Sequence, residues 1–322
     1  MSGTLTAARY GKTLVRVLRV VRDGSWHNIV EYNVDVLLEG DIATSYTDAD
    51  NSVVVATDSI KNITYYLAKI SPHILSAERF ALHLGTFFVS KYSHISKAFI
   101  TIEQLRWSRI HVSEEKSPKG HAHSFFRNGD DKRLAKVEVD GSAGKDKLIG
   151  KVTAGVKDLL VLKSTGSAFE KFYRDEFTTL VEVNDRIFST SIDLTYTFAP
   201  ISIKPPSDER KLDFILPVHK GENGYAGSVW DLEVPARALA ATLDIFATDE
   251  SASVQATLFK MAQRVIAENA LVDHVSYSLP NKHYVPVDMR YIGTDNLTPE
   301  KAEVFTPLAA PSGLITATVS RK

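Results

Sequence analysis

The 322-residue chain contains no cysteine. That absence excludes disulfides, thiolate zinc sites, iron–sulfur clusters and cysteine nucleophiles together. No apolar run approaches the roughly 20 residues of a membrane-spanning helix. Met1 to Gly11 lack the apolar stretch of a secretory signal and carry only Arg9 as charge. Charge of one sign is missing too: 38 Lys and Arg stand against 39 Asp and Glu, a formal net charge of −1. Such a balance excludes a concentrated positive field for nucleic acid or anionic membrane, though not a local basic pocket. Several catalytic signatures are incomplete. Gly11-Lys12-Thr13 has the tail of a phosphate-binding loop, but Thr6 stands where its first glycine belongs. No G-x-G-x-x-G turn and no G-x-S-x-G elbow occurs. His121-Ala122-His123 sets two imidazoles on one side of an expected strand, half a metal site with no third ligand evident nearby. The sequons at Asn62 and Asn296 read as fortuitous without a secretory signal, so the protein is expected inside the cell.

What is present is an ordinary globular composition, 44% apolar and 24% charged, long enough for one large domain or two ordinary ones. Val30, Tyr32, Val34, Val36 and Leu38 alternate with polar residues, the period of a strand with one buried face. A looser alternation runs from Leu14 to Val21, and the Asp23-Gly24 pair between them predicts a hairpin. Thr57 and Asp58 stand where a helix cap belongs, ahead of a helix over 59–69; Ser76 caps a second, with Phe80, Leu84, Phe87 and Phe88 on one face. Strand-like alternation returns over 96–112, 121–127 and 132–139.

The second half repeats this order. Phe188 to Phe198 alternate as a long strand, helices are expected at 234–248 and 253–268, and strands at 272–279, 283–289 and 314–320. Ala56-Thr57-Asp58-Ser59 and Ala247-Thr248-Asp249-Glu250-Ser251 are expected to lead into their helices alike, as an internal duplication would make them. Runs of antiparallel strands with helices on one face make an α+β architecture. The expected units are 1–140 and 141–322, the latter with an irregular, proline-containing insertion at 200–230.

These residues also occur as a recognisable set. Arg9-Tyr10-Gly11-Lys12, the run 37–62, VLKSTGSAF at 161–169, RDEFTTL at 174–180, Asp185-Arg186-Ile187, SASVQATLFKMA at 251–262, SLPNKHY at 278–284 and PSGLITATV at 311–319 resemble the urate oxidases (uricases), closest to fungal members. The resemblance runs from Tyr10 to Val319 and is weakest at 140–155 and 200–230. It implies two tandem T-fold units, each an antiparallel four-stranded sheet with two helices on one face. Oligomerisation would close the sheets into barrels and stack them as a homotetramer, with active sites at subunit interfaces. It also implies oxidation of urate by O2 to 5-hydroxyisourate and hydrogen peroxide in purine catabolism, without metal, flavin or other cofactor.

The resemblance assigns residues whose chemistry suits a flat, electron-rich anion. Arg186 is the guanidinium able to give two parallel hydrogen bonds to one edge of urate, Gln255 the carboxamide pairing with another, and Phe169 the aromatic against the ring face. The backbone N–H groups of Asp58 and Val254 add fixed donors. Both stand at expected helix starts, where unpaired N–H groups and the dipole favour an anion, a reason independent of the family. Lys12, Thr57 and His283 correspond to a proton relay, with Asn281 holding a water or oxygen molecule. Taken singly, Lys12 reads as a solvated lysine, Thr57 and Asp58 as caps, Phe169 as a core aromatic and His283 as a strand-end histidine.

Two departures accompany the match. Glu170-Lys171 follows Phe169 in place of a more apolar or glycine-containing pair, and the chain ends Ser320-Arg321-Lys322 rather than in the S-K-L-like tripeptide of peroxisomal members. The family nonetheless makes a peroxisomal location the expectation, with a cytoplasmic one otherwise. Two other classes share the fold: zinc-dependent cyclohydrolases, whose Cys/His zinc set a cysteine-free chain lacks, and a purine-binding relative without turnover, against which Lys12, Thr57 and His283 speak.

Overall fold

A strand with one buried face must alternate, and the Val30–Leu38 pattern does so in the computed structural model: Val30, Tyr32, Val34, Val36 and Leu38 are all buried, at 0–3% exposure. The structure describes residues 3–112, 120–216, 219–220, 226–227 and 233–322. The chain forms two compact units, Met1–Gly155 with Thr197–Asp231, and Val156–Tyr196 with Leu232–Lys322. These compact units divide at 155/156, whereas the sequence reading divided the chain at 140/141. The element pattern itself repeats about the Asp140–Leu148 turn, but the strand beginning at Leu148 starts in the first unit and ends in the second.

In the first unit β1 (Tyr10–Asp23) and β2 (Trp26–Gly40) form the expected hairpin, Asp23 opposite Trp26 across a Gly24-Ser25 loop. A short helix, α1 (Thr44–Thr47), precedes α2 (Thr57–Ile70) and α3 (Ala77–Lys91). α2 buries Ile60, Thr64, Leu67 and Ala68, the i, i+4, i+7, i+8 stripe of an amphipathic helix. α3 is capped by Ser76, as expected, and buried on nearly every side. β3 (Ile95–Arg109), β4 (Phe125–Asp140) and the first half of β5 (Leu148–Lys163) complete an antiparallel series β1-β2-β3-β4-β5, with α2 against β1 and α3 against β3 and β4.

β4 is one strand where the sequence suggested two. Asn128-Gly129-Asp130 reads as a turn but forms a wide irregularity inside the strand: Leu105 faces Lys132 while Trp107 faces Arg127, and Arg106 pairs with Asp131 at 2.7 Å. His121 and His123 lie in the bend before β4, their rings 4.5 Å apart and edge to face, not on one side of a strand.

The connection beyond residue 197 is irregular, as expected, with β7 (Ile201–Ile203) on β5 and the two-residue pair β8 (His219–Lys220) and β9 (Ala226–Gly227). The remainder of 217–230 lies outside the described residues. Its 208–214 portion is fastened to the helices by the fully buried His83 of α3. Nε2 of His83 donates to the Lys211 carbonyl at 2.8 Å, so Nδ1 accepts from the Ser71 hydroxyl at 2.8 Å. His73 bonds Asp213 at 3.0 Å beside Phe214.

The second unit contains the end of β5, β6 (Phe188–Phe198), α4 (Val234–Thr248), α5 (Val254–Glu268), β10 (Val272–Pro286), β11 (Phe305–Leu308) and β12 (Leu314–Ser320). Phe188, Ile192, Leu194 and Tyr196 fill one side of the core, and Leu258, Met261 and Val265 of α5 the other. Each half thus runs strand, strand, helix, helix, strand, strand, the α+β order of the T-fold. Three expectations change. The segment 247–251, expected to lead into α5 as 56–59 leads into α2, also closes α4, with Asp249 as its C-cap, and α5 starts three residues beyond it. α2 begins at Thr57, two residues before the expected start at 59, so Thr57 and Asp58 lie in its first turn and Ala56 is the N-cap. The strands at 272–279 and 283–289 are the single β10, which changes partners in mid-course, pairing β12 as far as Pro280 and β11 from His283.

Burial pushes the His83 imidazole below the usual histidine range, against the pull of the Lys211 carbonyl and Asp213; the neighbouring His73 lowers it further. A folded value below the unfolded one, about 6.5, means that the neutral ring stabilises the fold fully above that pH and loses this contribution as pH falls through the folded value. Urea midpoints should therefore fall more steeply between pH 7.5 and pH 5 for the wild type than for His83→Leu. Parallel curves would show that the ring titrates alike in both states.

Candidate active site

The candidate residues divide between the two units. Lys12, Thr57 and Asp58 belong to the first; Phe169, Arg186, Val254, Gln255, Asn281 and His283 belong to the second.

In the first unit Lys12 lies on β1 opposite Val36, immediately before a slip of register between Lys12 and Val15. Leu14 at the slip adopts φ +56°, and its N–H, freed from the ladder, donates to the Asp35 carboxylate at 2.7 Å. A bulge of this kind re-aims the side chains on either side of it. Gly11 makes the pairing possible, since a Cβ there would stand 1.8 Å from the Val36 carbonyl oxygen. The Tyr10 hydroxyl accepts from the Val55 N–H at 2.7 Å, which ties the Lys12 strand to the approach of α2.

α2 starts at Thr57 without a side-chain cap, so the N–H groups of its first turn, Asp58 included, have no partner within the helix. Both Thr57 and Asp58 are exposed. The Asp58 carboxylate accepts from Lys61 at 2.7 Å and Asn62 at 2.9 Å. The Lys61 hydrogen bond and charge hold this carboxyl below its usual range, with a smaller contribution from the Lys12 charge. Lys12 is thus within electrostatic reach of the start of α2.

In the second unit Phe169 and Val183 exchange two backbone hydrogen bonds, of 2.8 and 3.1 Å. This brings the segment after β5 alongside the approach to β6. The guanidinium carbon of Arg186 lies 5.0 Å from the Phe169 ring centroid, a cation–π contact. Burial pushes the proton affinity of Arg186 down, and its Nε is a buried donor without a protein acceptor. The Glu170-Lys171 departure has a structural consequence. Lys171 adopts φ +57°, its N–H donates to Glu182, and the turn folds Phe172 back to stack on Phe169 at 4.8 Å.

α5 begins at Val254, capped by Ser253, whose hydroxyl accepts from the Ala256 N–H. Val254 is buried and Gln255 exposed, both in the first turn. The chain just ahead of them is held to the Phe169 segment: Ala168 N–H donates to the Ser251 carbonyl at 2.9 Å and Ser251 N–H to the Gly166 carbonyl at 3.0 Å. Phe169, Arg186, Val254 and Gln255 are therefore linked through one local network. Asn281 and His283 stand where β10 changes partners. Asn281 N–H donates to the Gly313 carbonyl, while its side-chain Oδ1 is a buried acceptor without a donor; His283 is exposed opposite Leu308. Among the described residues no side-chain hydrogen bond joins either of them to Arg186 or Phe169.

The second-unit set combines a desolvated guanidinium, an aromatic ring, a helix start and two unpartnered buried polar atoms, one donor and one acceptor. Buried polar groups are almost always paired, so the arrangement suits a ligand that offers acceptors and donors along one edge. Tyr10 escaped notice because a phenol accepting a backbone bond leaves no pattern along the chain. The Ser253 cap was not identified either, the helix being expected from 253 itself; its signal is a serine directly ahead of the apolar stripe.

Gly11→Ala should lower stability by about 1–3 kcal/mol or more in urea unfolding, because the methyl meets backbone and not a movable side chain. Gly3→Ala, whose methyl meets nothing within 4 Å, should change it by less than about 0.5 kcal/mol. Equal midpoints for the two variants would contradict the close approach at Lys12.

Comparison with known proteins gives a consistent result. A family model described as Uricase matches residues 8–138 and 152–316. A uricase of Emericella nidulans is 43% identical over 99% of this chain and 98% of its own length, and one of Schizosaccharomyces pombe is 41% identical over 97% and 96%. The solved uricase structure from Arthrobacter globiformis superposes with a TM-score of 0.80 at 31% identity, covering 100% of this chain and 96% of that one.

Proposed function

This chain belongs to the uricase family, and on that premise we propose that it oxidises urate with O2 and water to 5-hydroxyisourate and hydrogen peroxide. The observation that carries the reading is Arg186: a partly buried cation over an aromatic ring, with a donor that has no protein acceptor. A planar guanidinium matches two acceptors on the edge of a flat anion, and the charge-assisted pair gains from the low local polarity that burial creates.

In the proposed site Arg186 and the Gln255 carboxamide hold the edge of urate, Phe169 lies against its face, and the N–H groups of Asp58 and Val254 bond its remaining acceptors. Lys12, Thr57 and His283 pass the proton whose removal makes the purine a better electron donor, and Asn281 holds oxygen or water beside the ring. Two electrons leave the purine for O2, which departs as peroxide with two protons; water supplies the hydroxyl that stays on carbon. The proposed reaction uses no cofactor. From the family's arrangement, in which the site lies at a subunit interface, we propose that the site forms between chains of a homotetramer, Lys12, Thr57 and Asp58 from one and the other six from its neighbour. Peroxisomal residence belongs to the same proposal.

Metal-stripped protein in aerated urate should consume the substrate and release one peroxide per urate; no turnover, or turnover only with added metal, would overturn the reading. The two kinds of residue should also separate. Arg186→Ala should weaken urate binding measured without oxygen by about 2–5 kcal/mol, on the order of thirtyfold or more. Lys12→Met should lower kcat by about 10²–10⁴-fold and leave that binding nearly intact. Loss of anaerobic binding in Lys12→Met equal to that in Arg186→Ala would make Lys12 an anion contact and not part of the relay.

A further inference from the structure

We infer that Asp185 is a positioning residue for urate, its carboxylate joining the backbone of Arg186 to the turn that carries Phe169. The inference rests on the reading of Arg186 and Phe169 as urate contacts. Asp185 immediately precedes Arg186, yet its carboxylate makes no ion pair with that guanidinium among the described residues. It turns instead to the 165–167 segment, accepting from the Thr165 hydroxyl at 2.5 Å and the Gly166 N–H at 2.8 Å. The backbone N–H groups of Ser167 and Arg186 also face it. An ionised carboxylate is acceptor-only, so both of its oxygens are free to take these donors, and hydrogen bonds to a charge are the stronger kind. Gly166 adopts φ +78° to present its N–H in this direction, a conformation that costs glycine nothing.

The turn held by Asp185 leads to the rest of the candidate site. Asp185 directly precedes Arg186, so its bonds to Thr165 and Gly166 tie that turn to the backbone from which the guanidinium springs. The Gly166 carbonyl accepts from Ser251, and the Ser251 carbonyl accepts from Ala168, so the same turn is fastened just ahead of α5, where Val254 and Gln255 lie. Phe169 follows Ala168 and returns through its paired bonds with Val183 to within two residues of Asp185. The segments 165–169 and 183–186 therefore close into a ring of hydrogen bonds with the Asp185 carboxylate at its centre. Opening the ring releases the aromatic ring and the guanidinium from one another without removing either from the protein.

The test uses the intact, assembled enzyme. Asp185→Asn keeps the shape but turns a donor amide toward donors. It should raise both KM and the anaerobic dissociation constant for urate by about tenfold or more, while kcat at saturating urate falls less than about threefold. Asp185→Glu should recover part of the loss. Thr165→Val, which removes one donor and leaves the carboxylate, should raise KM in the same direction by about threefold. In an Arg186→Ala background Asp185→Asn should add less than about threefold, since a positioning residue has little left to position there. A kcat loss at unchanged KM, or effects that multiply fully in the double variant, would overturn the inference and leave Arg186 as the anion contact. Should Arg186→Ala itself bind urate as the wild type does, the reading of Arg186 fails and the inference falls with it.

Discussion

A guanidinium keeps its charge at any physiological pH, and Arg186 keeps it partly buried with no carboxylate paired to it among the described residues. Much of the second unit is arranged around that constraint. The Phe169 ring offers its electron-rich face, the adjacent Asp185 turns its oxygens to the Thr165 hydroxyl and the Gly166 N–H, and the start of α5 adds the positive end of a helix dipole nearby. A partly buried charge without a partner is costly, and in the proposed function an anionic substrate supplies that partner.

The first unit solves a different problem, that of carrying a lysine on a strand that must also complete a sheet. The bulge after Lys12 permits both. It breaks the ladder for two residues, Asp35 takes over the orphaned N–H, and burial then resumes at Val15 and Val17 while Leu14 and Leu18 face outward. Tyr10 holds the strand against the approach to α2, which ties the Lys12 strand to the segment that leads to Thr57 and Asp58. Neither unit contains the other's chemistry: the first has the amine and a helix start, the second the guanidinium, the aromatic ring, the amide and the imidazole.

What the sequence revealed followed the strength of the local period. β2, β6, α4 and α5 were legible because each carries a continuous buried stripe, from Val30 to Leu38 in β2 and along the whole length of the others. β4 was not, since Asn128-Gly129-Asp130 carries turn chemistry that the neighbouring strand absorbs as an irregularity, with Asp131 recruited to Arg106. β10 was split by Pro280, a residue that usually breaks strands; here it marks the change of partner strand, and its carbonyl accepts from Thr190. The site residues became visible through resemblance and not through spacing, because the contact between Phe169 and Arg186 depends on a loop whose two backbone bonds leave no periodic trace. The helix starts were the exception. Asp58 and Val254 were expected at helix starts, where backbone N–H groups collect, and both lie in the first turns of α2 and α5.

The central claim is that a working site needs both halves and takes them from different chains. Complementation between two inactive proteins measures this directly. Lys12→Met and Arg186→Ala chains, each defective alone, should regain part of the urate turnover when co-refolded into mixed oligomers, because some interfaces then receive both wild-type halves. The account predicts activity that appears only after subunit mixing and approaches a quarter of the sites when equal amounts assemble at random. Verified mixed oligomers with no more activity than the sum of their parents, or full activity in an isolated wild-type monomer, would contradict it.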